Sequence, residues 1–280
     1  MLTRPSNAVA SGSGRAGKNA NMPPTTFLTP PPLAFAHQGG GREHTENSWE
    51  AFESTVALGF GYLETDIHTS SDGVAFCLHD DTLDRTTNGT GPAKEQPWAA
   101  IAALRVDGSE RPPPRLDEVL ARWPDLRLNV DPKLDEAVAP LVKALREADA
   151  VSRVCVGSFA DRRIKRVVAA LGAQLVHSTG PFTTVRWVAG SLLPTALGRL
   201  VARTSAACYQ VPVKQWFIPV VTGRTVRLAH AMGKQVHVWV VDATAEMERL
   251  LDLGVDGLMT DRPTALRDVL EARGQWPPRA

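Results

Sequence analysis

The sequence predicts an α/β protein, a (β/α)8 TIM barrel with a small loop-rich insertion, and three observations carry that expectation. β-rich apolar runs recur along nearly the whole chain; segments with helical apolar spacing lie between most of them; and the alternation covers about 230 residues, long enough for a closed parallel ring. At 280 residues and 43% hydrophobic content, the chain can bury a full barrel core.

The apolar runs, in order, are Leu33–Ala36, Tyr62–Ile67, Val74–Leu78, Leu126–Val130, Val154–Phe159, Gln174–His177, Ala207–Val211, Val236–Val241 and Gly257–Thr260. Helical spacing predicts helices over Asn47–Leu58, Asp135–Ala148, Asp161–Leu171, Gly223–Met232 and Thr244–Leu253. Nine strands are one too many for eight places. Because only a few residues separate Ile67 from Val74, too few for a parallel crossover, the pair reads as an antiparallel hairpin turned at Ser71-Asp72-Gly73, with a parallel arrangement as the alternative.

Residues 1–30 carry Ser-Gly-Ser-Gly, scattered cations and Pro23-Pro24 without the apolar core of a secretory signal, so they read as a disordered leader. The barrel is expected over 31–272, with a tail at 273–280 and an inserted excursion at about 81–124. Within that excursion, Asn-Gly, Gly-Pro and triple-Pro elements predict loops around one short helix near Trp98–Leu104. Thr183–Ala207, apolar with scattered Arg, reads as a barrel helix or lid rather than a membrane-contacting element.

Composition excludes several classes of function. A formal charge of +1 gives no electrostatic case for a nucleic-acid partner, and no apolar run is long enough for a transmembrane helix. Cys77, Cys155 and Cys208 lack paired spacing and read as buried thiols, and with no signal peptide the expected location is cytoplasmic. Oligomeric state is not legible.

The chemistry gathers at strand ends. Glu64 and Asp66 are two apart, so on a strand both carboxylates share a face, and the run behind the Asp-Gly turn then delivers His79 and Asp80. His37 ends the first strand before a glycine-rich turn suited to close approach of an anionic ligand. Asn47 reads as a helix cap, with Glu50 completing a capping box. Asp131 and Lys133 again share a face, setting a carboxylate beside a cation that can neutralise phosphate. Trp239 reads as a pocket wall or core residue, and His237 as packing.

Together His37-x-Gly39, Glu46-Asn47, Glu64-x-Asp66, Asp72-Gly73, His79-Asp80, Leu83 to Gly91, Asp131-x-Lys133, Ser158-Phe159 and the closing Gly254 to Pro263 resemble the glycerophosphodiester phosphodiesterases of bacterial type. The resemblance runs from about residue 34 to about residue 268. It implies a divalent cation, Mg²⁺ or Ca²⁺, held by Glu64, Asp66 and Asp131, with His37 and His79 as the general acid and base and Lys133 on the phosphate. Hard oxygen donors at those positions agree with Mg²⁺ or Ca²⁺ rather than zinc. The implied reaction is hydrolysis of a glycerophosphodiester to glycerol 3-phosphate and an alcohol. One histidine would take the proton of a glycerol hydroxyl acidified by the cation while the other protonates the departing alcohol oxygen, giving a cyclic phosphate that water then opens to glycerol 3-phosphate.

The chain departs from the family at two positions. Gln38 stands where His-Arg-Gly is usual, exchanging a charge-assisted phosphate contact for a neutral amide, with Arg42 near enough in sequence to substitute. Asp131 stands where Glu is common, with a reach shorter by about 1.5 Å. Two alternatives therefore stand beside the main expectation. One is a lysophospholipase D-like or sphingomyelinase D-like headgroup hydrolase, favoured by an apolar, exposed groove near Thr183–Ala207. The other is a catalytically weakened barrel that binds phosphodiesters, supported by Gln38 alone.

Overall fold

The structure, a computed structural model, describes residues 26–276. Its strands are β1 (Leu33–Ala36), β2 (Tyr62–Thr69), β3 (Ala75–Cys77), β4 (Arg127–Pro132), β5 (Val154–Val156), β6 (Val176–His177), β7 (Cys208–Pro212), β8 (Lys214–Gln215), β9 (Ile218–Pro219), β10 (Gln235–Trp239) and β11 (Gly257–Thr260). The helices are α1 (Trp49–Leu58), α2 (Trp98–Ile101), α3 (Leu116–Arg122), α4 (Val138–Glu147), α5 (Asp161–Leu171), α6 (Pro181–Gly190), α7 (Thr195–Val201), α8 (Gly223–Ala231), α9 (Thr244–Leu253) and α10 (Pro263–Ala272).

Eight strands run parallel in the order β6, β5, β4, β2, β1, β11, β10, β7. A parallel bridge between Ser178 and Cys208 joins the two ends, so the barrel is nearly closed. The third apolar run, which contains β3, pairs antiparallel with β2, Ile67 opposite Cys77 and Thr69 opposite Ala75, which decides for the hairpin. The five residues between Thr69 and Ala75 hold too little chain for a crossover, and Gly73, with φ +82°, supplies the turn.

Each strand turns one face to the barrel axis and the other to the helices. On β2, Leu63 and Ile67 join the core beneath the helices, whereas Glu64 and Asp66 point into the barrel mouth. The excursion packs Leu83, Ala93 and Ile101 against Phe76 and Leu78 of the β3 segment in a small separate core, and carries α3 in addition to the expected short helix. Thr183–Ala207 resolves into α6 and α7, which cross where Gly190 and Gly198 bring their backbones into contact. The β8–β9 hairpin has no counterpart among the runs read from the sequence, because two-residue strands leave no periodic signal.

Residues 1–25 of the expected leader lie outside the described residues. Its last residues belong to the barrel: Phe27 is fully buried, packs edge-on to Tyr62 at 5.3 Å, and accepts a hydrogen bond at its carbonyl from the Tyr62 hydroxyl. Leu28 O accepts from Gln235 Nε2 at 2.7 Å. Of the tail, Trp276 packs against Phe60 at 4.9 Å and 277–280 lie outside the described residues. Phe27→Ala should destabilise the fold by about 3 kcal/mol, the usual cost of emptying a buried aromatic site. A urea midpoint equal to that of the parent protein would show that Phe27 is no part of the core.

Candidate active site

His37 closes β1. The chain then turns through Gln38, Gly39 and Gly40, all with positive φ (52°, 81° and 97°). A Cβ on Gly39 would sit 2.7 Å from Phe52 Cδ1 and 2.8 Å from Ala51 Cβ; one on Gly40 would sit 2.7 Å from Pro263 Cγ. The close approach these glycines permit is to helices α1 and α10, and no ligand is needed to account for it.

His37 Nδ1 lies 2.7 Å from Asp261 Oδ1, which aims Nε2 toward Glu64 Oε2 at 3.8 Å. Burial alone would depress this imidazole, but the charge of Glu64, the Asp261 hydrogen bond and Asp66 together raise its pKa to about 9. His79, past β3, is oriented in the same manner, with Nδ1 2.7 Å from Asp80 Oδ1. Arg85 holds Asp80 by two bonds, 2.6 Å and 2.9 Å, and Glu46 in turn takes Arg85 at 2.9 Å and 2.5 Å. Arg85 keeps the Asp80 carboxyl well below the usual carboxylate range.

Between the two histidines stand the acids. Burial and then the neighbouring Asp66 charge push Glu64 well above the ordinary carboxylate range. Asp66 is also penalised by burial, yet Lys133, His79 and Asn47 hold it below. Lys133 Nζ lies 2.9 Å from Asp66 Oδ1 and 3.4 Å from Asp131 Oδ2. Asp131 is raised, chiefly by burial, and its Oδ1 is buried with no hydrogen-bond partner. His37, Glu64, Asp66, His79, Asp131, Lys133 and Trp239 all line one cavity of about 870 Å³ at the C-terminal ends of the strands.

Three sequence expectations change. Asn47 is not the helix cap: Ser48 accepts from Ala51 N at 3.1 Å and fills that role. Asn47 is buried, with φ 52°, and its amide reaches across to β2, donating to Asp66 Oδ2 at 3.1 Å and accepting from Thr65 Oγ1 at 2.6 Å. Gln38, expected at the substrate, is buried and spent on the acids, its Nε2 donating to Asp66 Oδ2 at 2.6 Å and its backbone N–H to Glu64 Oε2 at 3.2 Å. Arg42 does not replace the missing arginine either, because Asp242 takes its Nε at 2.7 Å.

Sequence reasoning also assigned no role to Asp261, Asp80, Arg85 or Glu46. The adjacency His79-Asp80 and the closing Thr260-Asp261-Arg262-Pro263 were visible, but only folding shows which imidazole each carboxylate serves.

A parallel barrel that gathers three carboxylates, two carboxylate-paired histidines and a lysine at its strand ends has the groups that a barrel hydrolase acting on a charged ester would use. The glycerophosphoryl diester phosphodiesterase family model matches residues 37–265. Probable glycerophosphodiester phosphodiesterase 2 of Mycobacterium tuberculosis is 36% identical over 245 residues, covering 87% of this chain and 92% of that protein. Lysophospholipase D GDPD1 of Homo sapiens is 27% identical, covering 84% and 85%. In fold, the chain is similar to an Oleispira antarctica phosphodiesterase solved in complex with the product sn-glycerol-3-phosphate, with a TM-score of 0.70 and 20% identity over 86% of this chain and 97% of that one. The chain belongs to the glycerophosphoryl diester phosphodiesterase family, and it is an enzyme of that class, a phosphoric diester hydrolase.

Proposed function

We propose that this chain hydrolyses glycerophosphodiesters to glycerol 3-phosphate and an alcohol, with Mg²⁺ or Ca²⁺ held by Glu64, Asp66 and Asp131 and with His37 and His79 as the acid-base pair. The observation that carries the reading is the shared cavity, in which all six of these functional side chains, Lys133 included, face one space.

The donor set fits a hard divalent cation. Asp131 Oδ1 is a buried acceptor without a donor, and burial beside Asp66 raises the Glu64 carboxyl, a cost that a bound cation would relieve. Among the described residues no group of three or more His, Cys, Asp or Glu side chains is placed to hold a metal ion as it stands, so binding would have to draw Glu64, Asp66 and Asp131 together. The Lys133 ammonium supplies the neutralising charge between Asp66 and Asp131. When bound, the cation would polarise a phosphoryl oxygen and acidify a neighbouring hydroxyl. The chain's own groups do the rest: Asp261 and Asp80 fix the two imidazoles so that each presents its Nε2, one to take a proton and the other to give one to the leaving oxygen. Lys133 offers its charge to the phosphate.

A second reading, hydrolysis of lysophospholipid headgroups, is favoured by the far wall of the same cavity, where Val185, Val188, Trp216, Ile218, Trp239 and Val240 are apolar. That wall suits an acyl chain attached to the glycerol. Turnover of glycerophosphocholine and lysophosphatidylcholine tests both readings. We expect both substrates to be cleaved, the lysolipid with the lower KM, and Val188→Asp to raise KM for the lysolipid alone. Cleavage of glycerophosphocholine only would sink the lysolipid reading. No cleavage of either, with activity appearing in Gln38→Arg, would support a weakened binding barrel.

The reading retains the cytoplasmic location, supported by three free, buried cysteines. No helix of the described residues is long and apolar enough to cross a membrane.

A further inference from the structure

The barrel rim is divided by chemistry. The sector of β1, β2, β3, β4 and β11 carries the histidines and carboxylates of the site on its strand ends and following loops, whereas the segments after β5, β6, β7 and β10 present Phe159, Phe182, Val185, Trp216, Phe217 and Val240 to solvent. Phe217 is 87% exposed and Trp216 79%, at the tip of the β8–β9 hairpin. A two-residue hairpin turn ordinarily takes Asn or Gly, because it asks for positive φ. Here Trp216 takes φ 55°, so the hairpin holds two large apolar side chains outward against both conformational and solvation preference. Exposed apolar residues continue through Leu192, Leu193, Leu197 and Leu200 along the α6–α7 pair.

Charge on this half is predominantly positive, with Asp161 beside Gly180 and Glu246 near Lys214 as its acids. From Arg162 to Val241 the chain has eleven Lys and Arg and not one Asp or Glu. On α5, Arg162, Arg163 and Arg166 are answered by Asp135. Lys214 at the hairpin base is exposed and in no close ion pair among the described residues, with the Glu246 carboxylate within its electrostatic reach. The Lys133 side of the mouth has the opposite character, with acids at Glu64, Asp66 and Asp131.

We propose that this apolar, cationic half of the rim docks the enzyme on an anionic lipid bilayer, the Trp216-Phe217 tip entering the headgroup layer and the apolar cavity wall opening onto it. Aromatic rings favour that layer, and flanking cations favour anionic headgroups. The occupant follows from two features together: apolar exposure clustered around the cavity mouth marks an interaction surface, and the excess of cations over acids matches a surface of negative charge. The cavity opens within the same rim, since Trp216, Val185 and Val240 belong to both. The inference rests on the lysolipid reading above for its purpose, though its observations are independent of catalysis.

Flotation of the full chain with vesicles tests it, using phosphatidylcholine with phosphatidylglycerol in equal parts and phosphatidylcholine alone. The protein should float with the anionic vesicles, less as salt rises, and Phe217→Ser and Phe182→Ser should each lower partitioning about tenfold. Lys214→Glu should weaken binding to the anionic vesicles alone. Both phenylalanines lie on the surface and outside the cavity lining, so turnover of glycerophosphocholine should be unchanged in their variants. Absence of flotation with either vesicle, or flotation indifferent to both Phe variants, overturns docking. So does a dimer in sedimentation that Phe217→Ser dissociates without any vesicle binding, because a second copy then covers the patch. Vesicle binding without hydrolysis of any glycerophosphodiester upholds docking and defeats the catalytic reading; turnover of glycerophosphocholine without vesicle binding does the reverse.

Discussion

His79→Ala is expected to lower kcat on glycerophosphocholine by about 10²–10⁴-fold, the usual share of one general acid or base, while leaving the fold intact. The imidazole has 44% of its side chain exposed and forms its hydrogen bond with its neighbour Asp80, so its removal opens no cavity and orphans no buried group. An unchanged melting temperature beside the lost turnover would assign the effect to chemistry. His37→Ala should lose as much activity but is a less clean experiment, because it also strips Asp261 and buried Glu64 of their shared cationic partner. Full turnover in His79→Ala would remove this residue from the mechanism.

Chelation should abolish turnover, and Mg²⁺ or Ca²⁺ should restore it. A ligand that binds only the native state also stabilises by mass action, about 2.7 kcal/mol at a hundredfold excess over Kd, so the melting temperature should climb with metal concentration. Glu64 is pushed up by burial and by Asp66, so it retains a proton that a cation must displace. Metal binding near neutral pH should therefore release protons, seen as a dependence of the calorimetric heat on the buffer's ionisation enthalpy. Asp131→Asn should weaken the thermal shift, because the unpartnered Oδ1 is then one half of a neutral amide. Full activity in chelator with no thermal shift would remove the cation from the reaction.

Much of the site was legible because it obeys period-two alternation. Glu64 and Asp66, and Asp131 and Lys133, are pairs whose shared face follows from strand geometry alone. The hairpin was legible for a similar reason, since the six residues between Ile67 and Val74 are too few to cross over. Asn47 was misread because its local context, a polar residue before a helix with Glu50 three residues on, is also that of a cap. The true cap, Ser48, is its neighbour, and the positive φ of Asn47 turns its amide toward β2 instead.

Gln38 shows the limit from another side. Read against its family it looks like a lost phosphate contact, yet in the fold it is a buried donor that helps hold Asp66 in place. A variant such as Gln38→Arg therefore sets a new charge among Glu64, Asp66 and Lys133 rather than simply restoring a contact.

By itself the sequence determined the barrel, the strand that carries each acid, and the family, because alternation, turn chemistry and ordered motifs are local properties. Only the tertiary structure decided which carboxylate orients which histidine, with His37 meeting Asp261 across 224 positions of chain. It alone also joined residues from four separate segments into one apolar half-rim. Closure of a barrel brings together the ends of strands remote in sequence, and no local pattern records which ends will meet.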